Sequence, residues 1–444
     1  MNGSVHLHPG TVSSRRSGFF AVTAAALIAI AAGVIAWSRI PAGARDTLWA
    51  EDGRLFLHAA AISSGQGGSL LEPYAGYLHL VPRLEALATV DLVPVQWWAL
   101  SMTALSCAIA GLVAAVAFVC SRDVVPWLPA RILLALLTVA TPLASREVLG
   151  NAANVHSLLF WGLFWVLLYR PRTEVATGAL AVFALAASLS DVQSVLLLPL
   201  LPWSRRDRRT WPVKAAVVIG ATSQVVTAIV APRGSSGRST VGPPSIVDGW
   251  LINAVATSWV PIPRMGAVLA ASGGLVAVLV LIPTAAVLVT VCWGTTRERA
   301  LAWMLAAGSA LVWTAGVVAN PAPWYAYATM DAAQLQHVWL SRYGVVPAMM
   351  LLALVCVAAG VLRRQRRVPR AAPVALVVVL SVALVPQLSE ALSRRDAGPE
   401  WQPQISASAE RCERPGLRAT ALRETLTWRV VVPCRYFDEI DASG

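Results

Sequence analysis

Long apolar segments recur along the whole chain, and they constrain its fold more than any other feature. Several of them exceed the roughly 18 apolar residues that are needed to cross a hydrocarbon core of about 30 Å. The sequence therefore predicts an all-α polytopic membrane protein with about 11 transmembrane helices. These spans lie near residues 18–37, 96–119, 129–145, 154–169, 175–190, 192–203, 212–231, 266–292, 299–319, 343–362 and 371–388. The segment 192–203 is short for a crossing, so we expect it to be tilted or partly re-entrant.

Composition and charge agree with a lipid environment. Hydrophobic residues make up 57% of the 444 residues, and only 13% are charged. A soluble domain has too little interior for so much apolar surface. The formal net charge of +12 comes from short arginine clusters between the apolar spans. That distribution favours contact with membrane lipids over nucleic-acid binding, so we expect no nucleic acid as a partner.

The arginine clusters also give the orientation, because positively charged loops stay in the cytoplasm. Numbering the spans alternately brings all of them to one side. The clusters are Arg15/Arg16, Arg122, Arg170/Arg172, Arg205/Arg206/Arg208/Arg209 with Lys214, Arg297/Arg299, and Arg363/Arg364/Arg366/Arg367/Arg370. We therefore predict a multi-pass protein of a bacterial inner (plasma) membrane. Its N-terminus lies inside, its first span is retained rather than cleaved, and its C-terminal tail lies outside.

The external side has longer connections, rich in Pro, Gly, Trp and Tyr. They comprise residues 38–95, 232–265, 320–342 and the tail 389–444. We divide the chain into a transmembrane domain (1–388), which contains the first external loop (38–95), and a small external tail (389–444). Residues 55–62 are expected to form an amphipathic helix in the membrane interface, and 425–432 to form a strand.

The six cysteines divide according to the topology. Cys107, Cys120, Cys292 and Cys356 fall in or at the ends of spans, where a free cysteine behaves as a small apolar residue. Cys412 and Cys434 lie in the external tail, where oxidising conditions allow a disulfide. We predict that these two are bridged, and that the bridge is needed in a tail too short to build a large core.

An acidic pair, Glu51 and Asp52, follows the first span on the external side. Two adjacent carboxylates near a bilayer are costly to bury without a partner. Asp52 followed by Gly53 and an apolar run is also typical of a helix N-cap. A cap explains Asp52 but leaves Glu51 without a role, so we favour a functional carboxylate.

The stretch from Leu70 to Arg83 combines aromatic, basic and turn-forming residues. Tyr74, Tyr77, His79 and Arg83 stand among glycine and prolines. Aromatic faces with polar tips suit sugar rings, and arginine suits phosphate. Either tyrosine taken singly is better explained by an aromatic belt at the membrane surface, whereas for the whole run we favour a function.

With its acidic pair in the first external loop, the chain resembles the C-type (GT-C) superfamily of polytopic membrane glycosyltransferases. The segment from Trp49 to Arg83 also resembles a bacterial branch that shares the Glu-Asp-Gly and Gly-Tyr-Leu-His patterns. The resemblance implies a GT-C-like fold and an enzyme that takes a sugar from a polyprenyl-phosphate donor. It places the catalytic base on Asp52 or Glu51.

Further external residues are expected to complete a common substrate-binding pocket with that loop. Each of them alone is better explained as a loop or cap residue, but together they lie on one side of the membrane, which favours a common site. They are His156, Asp191, Arg264, His337 and Arg342, with Arg146, Glu147, Asn151, Asn154, Gln193 and Tyr343 nearby.

The function predicted from these features is an inverting glycosyltransferase of the cell envelope with a glycan or lipid acceptor. Asp52 is assigned as the base that takes the acceptor proton, with Glu51 orienting the acceptor or holding a metal. Arg342 and Arg83 are assigned to the donor phosphate, with Arg264 behind them. We expect no cofactor and no obligatory metal, although two carboxylates leave a divalent ion open. A transporter or flippase of lipid-linked substrates and a non-catalytic membrane scaffold are the alternatives.

Overall fold

The computed structural model describes residues 10–63, 70–234, 240–388, 393–396, 398–425 and 427–438. These residues form nineteen α-helices, several short 3-10 and π segments, and one hairpin of two strands. The helices are α1 (Gly10–Ser38), α2 (Ala42–Arg45), α3 (His58–Ser63), α4 (Leu80–Leu92), α5 (Trp98–Cys120), α6 (Leu128–Ala140), α7 (Ala144–Glu147), α8 (His156–Leu168), α9 (Glu174–Ser188), α10 (Trp211–Val230), α11 (Pro243–Trp250), α12 (Met265–Ala271), α13 (Gly273–Leu279), α14 (Leu281–Trp293), α15 (Thr296–Ala319), α16 (Ala332–Gln336), α17 (Val345–Leu362), α18 (Ala371–Leu384) and α19 (Pro403–Cys412). The strands are β1 (Ala419–Arg423) and β2 (Arg429–Pro433), which pair antiparallel.

Within the described residues, seven helical segments are long and apolar enough to cross a membrane, where the sequence predicts eleven. They are Ala21–Ser38, Val95–Asp123, Leu128–Glu147, Arg208–Val230, Gly274–Trp293, Thr296–Ala319 and Arg342–Leu362. Four shorter apolar helices are Ala152–Leu168, Glu174–Ser188, Ile262–Ala271 and Ala371–Leu384. The chain is thus an all-α, multi-pass membrane protein.

Two predicted spans are not continuous α-helices. Residues Val192–Leu200 form a 3-10 helix with Pro199 inside it, and proline lacks the N–H that an α-helix needs. The expected span 266–292 is divided among α12, α13 and α14. Ser272 leaves the helical region (φ −156°, ψ 80°), and the two glycines after it have low helix propensity.

Helix α17 is the centre of the bundle, because all eighteen of its residues are buried. It packs against α6, α14, α15 and α18. Helix α1 lies at the periphery and exposes Val22, Leu27, Ile30 and Val34 on its outer surface. Large apolar side chains on an outer surface are expected where lipid, rather than water, is the solvent.

Contacts between loops support the predicted division into two sides. Loops assigned to the external side bind one another, and loops assigned to the cytoplasmic side do the same. External pairs include Arg342 with Glu147, Arg233 with Asn320, and Trp401 with Asp46; cytoplasmic pairs include Arg172 with Asp123, and Arg364 with Glu298. Which of the two ends faces the cytoplasm stays a prediction from the arginine clusters.

The tail and the first external loop share one apolar core. Phe56 and Leu57 are buried in it with Trp401 of the tail and Val430 of β2. Residues Asp52–Leu57 form a π-helix that continues into α3, and both pack against β2. The segment expected as an amphipathic helix at 55–62 is thus helical, and part of its apolar surface contacts the tail. Its position in the membrane interface stays a prediction. The predicted strand at 425–432 is present as the shorter β2.

The predicted disulfide joins Cys412 at the end of α19 to Cys434 beyond β2. The bridge closes a loop of 22 residues, so its removal is expected to cost the tail about 3 kcal/mol through the entropy of the open chain. Cys412→Ser with Cys434→Ser should accelerate amide exchange in β1 and β2 and leave exchange in α17 unchanged. Equal protection of the hairpin in both proteins would contradict this expectation. Cys292→Ser, at an exposed free cysteine, is the control.

Candidate functional site

The first external loop presents Glu51 by means of an unusual backbone conformation. Ala50, the residue before it, has a φ of 45°, in the left-handed region that non-glycine residues rarely adopt. The chain turns sharply there and enters the π-helix Asp52–Leu57. After this turn the two neighbouring carboxylates lie in different surroundings. Asp52 is buried in protein, whereas Glu51 lines a cavity.

A tight turn holds Tyr74 and Tyr77 side by side. Their backbones exchange two hydrogen bonds, of 3.0 and 3.1 Å, across Ala75 and Gly76. Both central residues have positive φ (51° and 86°), which is the geometry of a type I′ turn. A Cβ added at Gly76 would meet the backbone nitrogen of Arg233 at 3.2 Å. The glycine thus allows the turn to lie close to the next external loop.

Gln224 of α10 fixes this loop to the helical bundle. Its fully buried side chain accepts the N–H of Leu78 (2.8 Å) and donates to the carbonyl oxygens of Leu78 and Ser188. Ser190 accepts the N–H of Val81 in the same way (2.9 Å). These bonds position Tyr77 and His79 on a rigid support.

A cavity of about 270 Å³ lies between these loops and the ends of the helices. It contains seven of the residues that the sequence predicts for the site, together with further polar residues and an apolar wall. The predicted residues are Glu51, Tyr74, Tyr77, His79, His156, Asp191 and Arg342; the others include Asn154, Gln193, Arg233, Asn320, Tyr343, Val192, Val195, Leu196, Ala315 and Ala319.

One wall of the cavity carries histidines and an aspartate. His156 Nδ1 lies 3.3 Å from Asp191 Oδ2, and the ring of His79 lies 3.9 Å from that of Tyr77. Burial lowers the pKa of His79 to about 3, so this ring is neutral at pH 7. Within the described residues, His79 Nδ1 is a buried polar atom without a hydrogen-bond partner in the protein. A buried polar atom of this kind needs a partner, which a polar ligand in the cavity could supply.

The opposite wall is cationic and is held by a buried carboxylate. Glu147 accepts a hydrogen bond of 3.0 Å from Arg342 and also forms an ion pair with Arg394 of the tail. Arg342 in turn lies over the ring of Tyr343 (5.3 Å). Arg233 donates to Asn320 at the rim. Two guanidinium groups therefore face the cavity that Glu51 lines.

Asp52 does not line the cavity, so its expected role there is not supported by its position. Its carboxylate accepts the backbone N–H of Ala153 (2.8 Å) and is only 1% exposed. Burial raises the pKa of Asp52 to about 7, and its hydrogen bond with Ala153 and the charge of Arg395 oppose that rise. The Asp52 side chain makes no capping hydrogen bond in its own helix. Its bond to Ala153 joins the first external loop to the 3-10 turn Ala152–Asn154, which precedes α8.

Glu424 in the tail is expected to make docking of the hairpin dependent on pH. It accepts the N–H of Arg54 (3.2 Å), and burial raises its pKa to about 8, with the charge of Asp52 adding to the rise. In an unfolded chain the pKa of Glu is about 4. The folded state thus binds this proton more tightly, and its contribution to stability is full below about pH 4 and lost as pH rises through about 8.

Glu424→Gln is therefore expected to reduce the fall in melting temperature between about pH 5.5 and about pH 8.5. The amide still accepts the N–H of Arg54 but carries no charge. Thermal unfolding in nanodiscs at both pH values measures the effect. Glu413→Gln, at an exposed position of the tail, should keep the wild-type dependence. Identical slopes for wild type and Glu424→Gln would show that Glu424 contributes no pH dependence.

Three further residues predicted for the site lie elsewhere. Arg83 is buried over the ring of Phe56 (5.6 Å), 3.6 Å from Glu72, and does not belong to the lining of the candidate cavity. Arg264 ends an exposed 3-10 turn, and His337 is exposed at the end of α16. Local sequence gave no way to distinguish a polar residue that packs beneath a loop from one that lines a pocket.

Two polar residues of the cavity were not predicted, Arg233 and Asn320. A sequence signal existed for Arg233, because an arginine in an external loop departs from the positive-inside pattern and needs another explanation. Asn320 directly follows α15 and has no comparable signal. Arg394 and Arg395 carry the same external positive charge in the tail, and they too are engaged in ion pairing and hydrogen bonds.

The described residues bring together no group of three or more His, Cys, Asp or Glu side chains that is suited to hold a metal ion. Comparison of the chain with models of protein families, with curated proteins and with solved structures gives no match. The physical features of the cavity are therefore the basis for a functional conclusion.

Proposed function

We propose that the protein is a membrane glycosyltransferase of the GT-C type. It transfers a sugar from a polyprenyl-phosphate donor to a hydroxyl of a cell-envelope glycan or lipid on the external face. The observation that carries the proposal is that the carboxylate of Glu51 and two guanidinium groups, of Arg342 and Arg233, line the same cavity. The other carboxylate of the cavity, Asp191, lies beside His156. Transfer of a sugar from a phosphate to a hydroxyl requires a base and a cationic site for the leaving group.

Glu51 takes the role of base in this proposal, in place of Asp52. As the acceptor oxygen forms its bond to the anomeric carbon, the hydroxyl proton passes to the Glu51 carboxylate. The bond between the anomeric carbon and the phosphate oxygen breaks, and its electron pair leaves with polyprenyl phosphate. Arg342 and Arg233 stabilise the negative charge that develops on that phosphate. A single displacement of this kind inverts the anomeric configuration.

The apolar wall of the cavity suits a lipid-linked donor. Val192, Val195 and Leu196 of the 3-10 helix stand opposite Ala315 and Ala319 of α15. The same helix α15 exposes large apolar side chains, such as Val318, on its outer surface. A donor whose first isoprene units lie against such a wall would have its phosphate at the cationic end, and positioning of this kind accelerates a bimolecular step.

The test is transfer of radiolabelled sugars from synthetic polyprenyl-phosphate donors by the full chain in proteoliposomes. We expect a product of inverted configuration and release of polyprenyl phosphate, and no transfer from nucleotide sugars. Movement of a fluorescent lipid-linked substrate between leaflets, without cleavage of the sugar–phosphate bond, would indicate a flippase instead. Absence of both activities, with the fold intact, would favour a scaffold.

A further inference from the structure

A second cavity, of about 500 Å³, adjoins the candidate site and shares a wall with it. Arg233, Asn320, Arg342 and Tyr343 line both cavities. Its remaining lining includes three aromatic residues, Trp324, Tyr325 and Trp339. The two cavities therefore meet at the guanidinium groups, with Glu51 on one side of them and a group of aromatic rings on the other.

Trp324 and Trp339 form the outer part of this second cavity. Their rings lie 5.4 Å apart, and they are 48% and 38% exposed although they line a pocket. Arg394 lies over the ring of Trp339, 3.2 Å from its centre, and is itself bound to Glu147. Trp339 is thus held in place by the same carboxylate that holds Arg342.

We infer that the second cavity binds the acceptor as a saccharide, with pyranose or furanose rings against Trp324 and Trp339. Aromatic faces bind the C–H faces of sugars, and indole rings offer large apolar area with little conformational entropy to lose. The polar wall of Ser341, Asn320 and the arginines supplies hydrogen bonds for hydroxyl groups. This assignment rests on the proposed function, since it places the acceptor next to the site of transfer.

A membrane-interface role for the two tryptophans is the rival explanation, because exposed tryptophan is common at that depth. Trp211 and Trp303 fit that role, since they are each 59% exposed on the helices α10 and α15. Trp324 and Trp339 differ from them by lining a cavity that also contains Glu147, Arg233 and Arg342. A charged cavity is a poor environment for lipid tails and a suitable one for a glycan.

The experiment is saturation-transfer NMR on the full chain in nanodiscs. The probes are methyl glycosides and disaccharides of glucose, galactose, mannose and arabinose. We expect at least one of them to bind, and Trp324→Ala with Trp339→Ala to weaken its binding about tenfold or more. Trp324→Phe with Trp339→Phe should retain most of the affinity, because a stacking face remains. The matched control, Trp211→Ala with Trp303→Ala, should bind as the wild type does.

Binding is measured here without turnover, so the two proposals can fail separately. Loss of glycoside binding in the double alanine variant, in a protein that transfers no sugar, would support a saccharide site at the two tryptophans and refute the transferase. No binding by any probe would overturn the acceptor site. Equal binding by the wild type and the double alanine variant would overturn it as well, even if that variant is less stable in the bilayer.

Discussion

Glu51→Gln is expected to lower the rate of sugar transfer about a thousandfold, because the amide cannot accept the acceptor proton. The substitution keeps the size of the side chain and its hydrogen-bonding oxygen, so the KM for the acceptor should change only a few-fold. Initial rates with a saturating polyprenyl-phosphate donor measure the effect. A rate within a few-fold of the wild type would remove Glu51 from the chemistry.

Two variants control for loss of charge in the same loop. Glu72→Gln removes a carboxylate that is 61% exposed, and it should transfer at the wild-type rate. Asp52→Asn keeps an oxygen that accepts the N–H of Ala153, so its rate should fall less than about tenfold. The opposite order, with Asp52→Asn inactive and Glu51→Gln active, would restore Asp52 as the base.

Arg395→Met is expected to cost about 3–5 kcal/mol of the free energy that docks the tail, the usual effect of removing one partner from a buried charged network. Arg395 is 3% exposed and donates to the carbonyl oxygens of Thr47 and Gly150 and to the hydroxyl of Thr103. Its loss leaves these acceptors unsatisfied and the carboxylate of Asp52 without a nearby cation.

Hydrogen exchange of the amides in β1 and β2 measures that loss as a local opening free energy. Arg418→Met, at an exposed position beside β1, should exchange like the wild type. Because the tail also supplies Arg394 to Glu147, we expect the opening to loosen Arg342 and to lower transfer as well. Unchanged protection of the hairpin in Arg395→Met would show that the tail does not depend on this residue.

The class of fold was readable from the sequence because lipid imposes a simple rule. A helix must satisfy its own backbone in the bilayer and be apolar over about 20 residues, so spans stand out from hydropathy alone. The seven long helices lie where that rule predicts. The rule does not hold for Val192–Leu200, because an apolar run with an internal proline has the composition of a membrane span but not its helical geometry.

The sequence predicted which residues belong to the site better than it predicted how they are arranged. The external position of Tyr77, His156 and Arg342 followed from the alternation of the loops, and the structure brings these residues into one cavity. The different positions of Glu51, in the cavity, and Asp52, buried in protein, did not follow, because the chain turns between them with a positive φ at Ala50. A backbone conformation that alanine rarely adopts leaves no trace in the pattern of residues.

The shared core of the tail and the first loop was also beyond the sequence. Its contacts join residues more than 300 positions apart, such as Thr425 with Leu48. Periodicity within a short segment carries no information on such a partner. These contacts matter for the site, because Arg394 of the tail binds Glu147, the carboxylate that also binds Arg342 in the cationic wall.

Photocrosslinking with polyprenyl phosphate that carries a diazirine on its first isoprene unit locates the leaving group directly. The proposed transfer site predicts labelled peptides from the cavity wall, in Val192–Leu200 and in the end of α15 near Ala315 and Ala319. Excess unlabelled polyprenyl phosphate should abolish this labelling. Labelling confined to the cytoplasmic arginine clusters, such as Arg363–Arg370, would contradict the assignment of the cavity to a lipid-linked donor.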